Sequence, residues 1–193
     1  MANFGLSKPW IAKLNPSTNT YSDAFTCGKA INTTVTPNNN EGGVFADNQQ
    51  TESVTEFKNA SVVLGTDRLP VKAATLLFGH KTQEDETEVS NSDDASAYVG
   101  YGFITMEVLD GVKKYRACIL HKVKFTEGEE SYQTKGDSIT FSTPSLSGTA
   151  LADSKGNWRT KSPYFETEDK ADAWIKEKFN VTASETATPG NGE

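Results

Sequence analysis

The sequence predicts a mainly β fold: two packed antiparallel β-sheets, a sandwich or half-barrel, flanked by one or two α-helices. Three observations carry this. Residues 99–109 and 112–125 alternate around the turn pair Asp110-Gly111 as one long hairpin. Thr, Ser, Asn and Gly are abundant, Leu is sparse and aromatic residues make up 10% of the chain, a composition of strands and turns. Helical spacing is confined to residues 67–79 and 167–179. At 193 residues the chain suits one domain, expected over residues 1–181, and folding buries roughly 70% of the surface an unfolded chain exposes.

The central hairpin can be written pair by pair. Asp and Gly tolerate the positive φ of a mirror-image two-residue turn, so Leu109 faces Val112 and the later pairs follow. One face pairs Met106 with Tyr115, Ile104 with Ala117 and Gly102 with Ile119. The other pairs Glu107 with Lys114, Thr105 with Arg116, Phe103 with Cys118 and Tyr101 with Leu120. Arms of about 11 residues are roughly twice the usual strand length. Both faces are half apolar, so the second face is expected to be covered, by this chain or by another.

Along the chain, residues 8–14 form a short extended segment closed by Asn15-Pro16, and residues 21–35 alternate as one or two strands with Phe25, Cys27, Ile31 and Val35 on one side. Residues 36–52 have no period of either kind and read as a long loop, with only Val44, Phe45 and Ala46 apolar. Residues 54–64 return as a strand. Asp67 can cap a first helix, with Pro70 in its first turn, Val71, Ala74, Leu77 and Phe78 at helical spacing, and Gly79 at its end. Residues 82–96 are an acidic excursion: no Lys or Arg stands between Lys81 and Lys113, while eight carboxylates do. Residues 126–135 read as a polar connection, 138–143 as a strand with Ile139 and Phe141 inward, and 144–150 as an extended or edge piece. Gly156-Asn157-Trp158 turns the chain, and Thr167 caps a second helix with Ala171, Trp174, Ile175 and Phe179 on its apolar stripe. Residues 182–193 are small, polar and Pro/Gly-containing, a tail expected to be disordered.

The residue chemistry argues against catalysis. His80 and His121 are the only histidines and neither lies in a nucleophile elbow; no Gly-rich phosphate loop precedes a helix, and no cofactor or metal site is expected. Glu84-Asp85-Glu86-Thr87-Glu88 lacks the alternating oxygen donors and central Gly of a calcium loop. Cys27 and Cys118 have no Cys or His at ligand spacing and read as buried thiols. A net charge of −7 opposes nucleic-acid wrapping, since neutralising phosphates needs an excess of Lys and Arg. Lys113, Lys114, Arg116, Lys122 and Lys124 suit equally an acidic partner or a strand face balanced by its own neighbours, with Glu107 opposite Lys114. No apolar run approaches the ~18 residues of a membrane span, and residues 1–5 lack a basic-then-apolar leader, so neither membrane nor secretory routing is expected.

The ordered set of segments resembles the major tail proteins, or tail tube subunits, of long-tailed non-contractile bacteriophages. The residues that carry it are Lys8-Pro9-Trp10-Ile11-Ala12-Lys13-Leu14, the Asn-rich stretch before a returning strand, and the helix within residues 69–79. They continue with Val99-Gly100-Tyr101-Gly102-Phe103, residues 115–125, residues 132–141, and Tyr164-Phe165 ahead of residues 171–179. The features span roughly residues 7–180, and the specificity lies in their order. The resemblance implies a structural virion protein with no enzymatic activity and no cofactor. Six subunits close a ring whose inner sheets join as a barrel, rings stack into a tube, and phage DNA leaves through the lumen without specific binding. It also implies assembly in the bacterial host cytoplasm, residence in the virion tail, and contacts with the tape measure, tail tip and tail terminator proteins. By the same resemblance residues 36–52 are an inter-subunit loop, with Pro37, Asn38, Asn39, Asn40, Val44, Phe45 and Asn48 in contact and Val44 and Phe45 as apolar anchors.

Two rival readings stand beside it. A secreted or virion-surface carbohydrate-binding β-sandwich would use Trp10, Trp158, Tyr101 or Tyr164 as stacking platforms and remain a monomer. The inner tube of a contractile tail or secretion-like machine would share the ring architecture.

Overall fold

The computed structural model describes residues 3–46, 49–83, 87–128, 134 and 143–181. Its elements in chain order are β1 (Asn3–Asn15), β2 (Thr20–Thr26), β3 (Ala30–Ala46), β4 (Gln49–Thr66), α1 (Val71–Phe78), β5 (Lys81–Thr82), β6 (Glu88–Val89), β7 (Val99–Leu109), β8 (Val112–Thr126), β9 (Ser145–Leu151), β10 (Arg159–Lys161) and α2 (Glu168–Lys178). The fold is mainly β. Eight strands make one antiparallel sheet in the order β2-β1-β7-β8-β9-β4-β3, with β10 also on β8, and β5-β6 form a small second sheet.

The central hairpin has the register read from its turn. Asp110 and Gly111 take φ of 51° and 79°, and each of the eight cross-strand pairs from Tyr101·Leu120 to Leu109·Val112 named above is present. The register then slips, so that Val99 faces Val123. That bulge adds one residue to β8 and reverses its alternation, placing Val123 and Phe125 on the face that holds Cys118 and Leu120.

Both faces of the hairpin are covered by the chain itself. Ile104, Ala117 and Ile119 pack under Ala171, Ile175 and Phe179 of α2. Tyr101, Phe103, Cys118 and Leu120 pack with Val62 and Leu64 of β4, Leu146 of β9, and Ala73, Ala74, Leu77 and Phe78 of α1. This second core is enclosed because the sheet curls: the Tyr101 hydroxyl on β7 donates to Thr33 Oγ1 on β3 across 3.0 Å, although three strands separate β7 from β3 in the sheet. The half-barrel is a single sheet folded over on itself.

Several expectations are corrected. Residues 36–52 are not an aperiodic loop: Thr36 pairs with Ser61, and the ladder continues to Ala46·Gln49. Backbone pairing with an adjacent strand satisfies N–H and C=O groups whether or not side chains alternate, so a polar segment becomes strand once β4 lies beside it. Asp67 does not cap α1. Pro70 occupies the N-cap, and the Asp67 carboxylate instead accepts the Lys29 backbone N–H at 2.6 Å. The segment expected as an extended or edge piece is β9: it is extended, but it lies inside the sheet between β8 and β4 and not at an edge. Thr167 is the N-cap of α2 by position, but its hydroxyl makes no capping bond. Glu168 and Asp169 in the first turn and Lys176 and Lys178 in the last suit the helix dipole. The strand expected at 138–143, save Thr143, and the tail at 182–193 lie outside the described residues.

Candidate assembly surface

The β3-β4 hairpin separates into two parts. Near its base β4 is flanked by β9, from Gly65·Ser145 to Ala60·Ala150. Beyond Ala60, β4 has only β3 as a described neighbour, and residues 36–43 and 52–56 are exposed to solvent on both faces. The root is clamped by Phe57, whose ring stacks on Trp158 with centroids 4.6 Å apart and planes 12° apart. From the Asn39·Phe57 pair to Ala46·Gln49 a two-stranded arm continues for roughly 25 Å of strand.

Of the expected contact residues, Pro37 and Asn38 lie at the root of this arm and Asn39, Asn40, Val44 and Phe45 along it. Pro37 pairs with Ala60 on the sheet's outer strand, the kind of strand in which proline is tolerated. Asn38 Nδ2 donates to Asn59 Oδ1 at 2.9 Å and to Ser61 Oγ at 3.2 Å, bracing the root. Asn39 and Asn40 oppose Phe57 and Glu56, while Val44 and Phe45 lie in the last rungs opposite Glu52 and Gln50. Asn48 lies outside the described residues. Glu52, Val54 and Glu56 share one face, opposite Val44, Gly42 and Asn40, and Val54 is 58% exposed. The arm therefore presents an apolar side chain between two carboxylates.

A second feature lies at the other end of β3, one that local spacing barely signals. A cleft of about 920 Å³ opens between β1, β2, α1 and α2, with Lys8, Lys29, Lys72 and Lys176 around Phe25 and Trp10. Among the described residues of its lining Asp172 is the one carboxylate. Asp172 accepts the Trp10 indole N–H at 2.8 Å and meets Lys176 Nζ at 2.9 Å and Lys8 Nζ at 3.3 Å. Burial would raise its pKa, but the bonds from Lys176 and Trp10 and the Lys8 charge outweigh burial and hold it below the ordinary carboxylate value. Lys72 Nζ lies 4.9 Å from the Phe25 ring centroid, a cation–π distance. The i,i+4 spacing of Asp172 and Lys176 is the only local signal for this cluster; Lys8, Lys29 and Lys72 join it through tertiary packing.

The remaining candidates are occupied by the chain's own partners. Both His80 nitrogens face carboxylates, Nδ1 at 2.5 Å from Glu88 and Nε2 at 3.0 Å from Glu127. His121 Nε2 bonds Thr160 Oγ1 at 2.7 Å, and burial lowers its pKa against the opposing pull of Asp153. Lys114 and Glu107 are paired in register, yet Lys114 Nζ lies 3.8 Å from Glu166, and Glu107 accepts the Tyr164 hydroxyl at 2.7 Å. Arg116 donates to Ser162 O at 3.0 Å, and Lys122 and Lys124 lie over the Tyr98 ring. Among the described residues no three His, Cys, Asp or Glu side chains gather as a metal site; Glu84, Asp85 and Glu86 lie outside them. Of the four aromatic platforms, Trp10 and Tyr101 are buried, Trp158 is stacked on Phe57 beneath Arg159, and Tyr164 carries the Arg116 guanidinium 4.8 Å from its ring centre.

No protein-family model matches the chain, and no curated protein matches it in sequence.

Proposed function

We propose that this chain is a tail tube subunit of a long-tailed non-contractile bacteriophage, a structural protein that works by polymerising. The observation that carries this reading is the arm beyond Phe57, a two-stranded ribbon whose residues 39–43 and 52–56 are exposed on both faces. An isolated two-stranded ribbon is marginal in water, whereas one laid against a neighbouring subunit gains the contacts it lacks. The outer strands β2 and β3 add a second support, because open sheet edges invite pairing and ring closure removes them. The net charge of −7 suits a conduit for DNA, which like charge keeps from adhering to the wall. Under this reading six subunits form a ring, rings stack into the tube, and the tape measure, tip and terminator proteins bound its length.

Trp10 and Tyr101 are buried and Trp158 is stacked on Phe57, so of the four aromatic platforms only Tyr164, at 37% exposure and with Arg116 against its ring, is open enough for the carbohydrate reading. The test is electron microscopy of the purified protein at high concentration, beside a variant in which residues 39–56 are replaced by a two-residue Asn-Gly turn. Tubes or rings from the wild-type chain, and folded monomers from the shortened one, are the expected result. A wild-type chain that stays monomeric under every assembly condition overturns the reading.

A further inference from the structure

We propose that the lysine cleft is the acceptor for the arm of a second copy of this chain, which seats its Glu52-Val54-Glu56 face on Lys8, Lys29, Lys72, Lys176 and Phe25. The inference rests on the assembly reading above and names the surface on which the arm docks.

Complementarity of charge and shape is the first argument. In a chain of net charge −7, four lysines line one cleft around Asp172, with Asp169 3.8 Å from Lys8 and Asp67 bonded to the Lys29 backbone at its edge, so cations outnumber the carboxylates that meet them. Two of the four, Lys8 and Lys176, are already engaged by carboxylates, Lys8 by Asp172 and Asp169 and Lys176 by Asp172, while Lys29 and Lys72 are exposed, Lys72 over the Phe25 ring, and can meet an incoming acid. The arm carries the opposite sign: Glu41, Glu52 and Glu56 are exposed there, with Lys58 near the root. Its exposed Val54 stands between Glu52 and Glu56, as Phe25 stands among the lysines. A two-residue spacing on one strand face puts carboxylates on either side of an apolar contact, which an ionic rim around an apolar floor can receive.

Topology supplies the second argument. Lys29 and Ala30, which line the cleft, stand at one end of β3, and the arm tip is its other end. Roughly 50 Å of extended strand separates them. The ladder with β4 runs from Ala30·Thr66 to Ala46·Gln49, so its bulges bend the hairpin without reversing it. An arm cannot reach its own cleft. Association through these two surfaces is therefore head-to-tail, the heterologous kind that closes into rings or propagates as a filament.

The experiment uses the full chain with two paired charge reversals, Glu52→Lys with Glu56→Lys on the arm, and Lys29→Glu with Lys72→Glu in the cleft. Lys8 and Lys176 are left alone because they hold Asp172. Thermal melts first establish that each variant folds as the wild type does. Each variant alone is expected to need on the order of tenfold more protein for half-assembly in sedimentation. Mixing the two restores assembly, since each arm then meets a cleft of opposite sign. Carbodiimide crosslinking of wild-type assemblies is expected to join Glu52 or Glu56 to Lys29 or Lys72. Wild-type tubes with unaffected variants, or unrestored mixtures, overturn the docking site and leave the tube reading standing. Absence of any wild-type assembly overturns both.

Discussion

The indole N–H of Trp10 donates to Asp172 Oδ1 across 2.8 Å, joining the first strand to the last helix over 162 positions of sequence. Around this bond the carboxylate also gathers Lys8 and Lys176, and both residues of the pair are buried. A buried carboxylate is tolerated where several donors meet it, and this one has three. The bond locks α2 onto β1 at the rim of the lysine cleft.

Asp172→Asn should destabilise the fold by about 1–3 kcal/mol at neutral pH, because the substitution weakens charge-assisted bonds from three buried or half-buried donors. The folded-state pKa is depressed, so this contribution is present above the ordinary carboxylate value of ~4 and is lost as pH falls through the lower folded value. Thermal melts should show a wild-type advantage at pH 7 that shrinks toward pH 3. An advantage independent of pH would contradict the assignment.

Gly100→Ala should cost about 1–3 kcal/mol, more than Gly102→Ala. A Cβ at position 100 would stand 2.5 Å from Tyr21 Cε1 and 2.7 Å from Phe179 Cε1, whereas one at 102 meets Ile175 and Phe179 at 3.1 Å. These two glycines of β7 let α2 lie close to the sheet. Calorimetric melting of both variants checks the order.

Tyr101→Phe should lower stability by about 1 kcal/mol, the net worth of one hydrogen bond. The Tyr101 hydroxyl donates to Thr33 Oγ1, which in turn donates to Val63 O at 3.0 Å, so the bond links β7 to the outer strand pair. Thr33→Val should cost less in the Tyr101→Phe background than in the wild type, because there it removes only the bond to Val63 O. Urea unfolding of the double-mutant cycle measures that coupling.

Neither thiol should react with a disulfide reagent in the folded protein, and both should react after unfolding. Cys27 and Cys118 are free and buried. Burial, helped by the Asp67 charge, pushes Cys27 up to about 12; burial raises Cys118 to about 11 against the pull of Arg159, Lys161 and Arg116. At neutral pH the thiolate fraction is then negligible. Rapid native-state labelling would contradict this placement.

Local signals carried part of the way. Asp110-Gly111 is a turn whose φ angles its own residues permit, so the central pairing was legible without knowing what lay above or below it. The α2 stripe was legible for the same reason, since Ala171, Ile175 and Phe179 share a face through helical period alone. The arm was not, because residues 36–46 lack alternation and become a strand only through β4. Glu107 likewise kept its place opposite Lys114 but turned to Tyr164, a residue the register says nothing about.

Sequence by itself thus determined the mainly β class, the central register and the α2 stripe, because each depends on backbone preference and spacing over a few neighbouring residues. Tertiary structure alone decided the curl that bonds Tyr101 to Thr33, the reach of the β3-β4 arm past β9 and the gathering of four lysines around Asp172. Those features depend on which distant segments share a strand edge or a cleft, and the energies that select them belong to contacts between residues far apart in the chain.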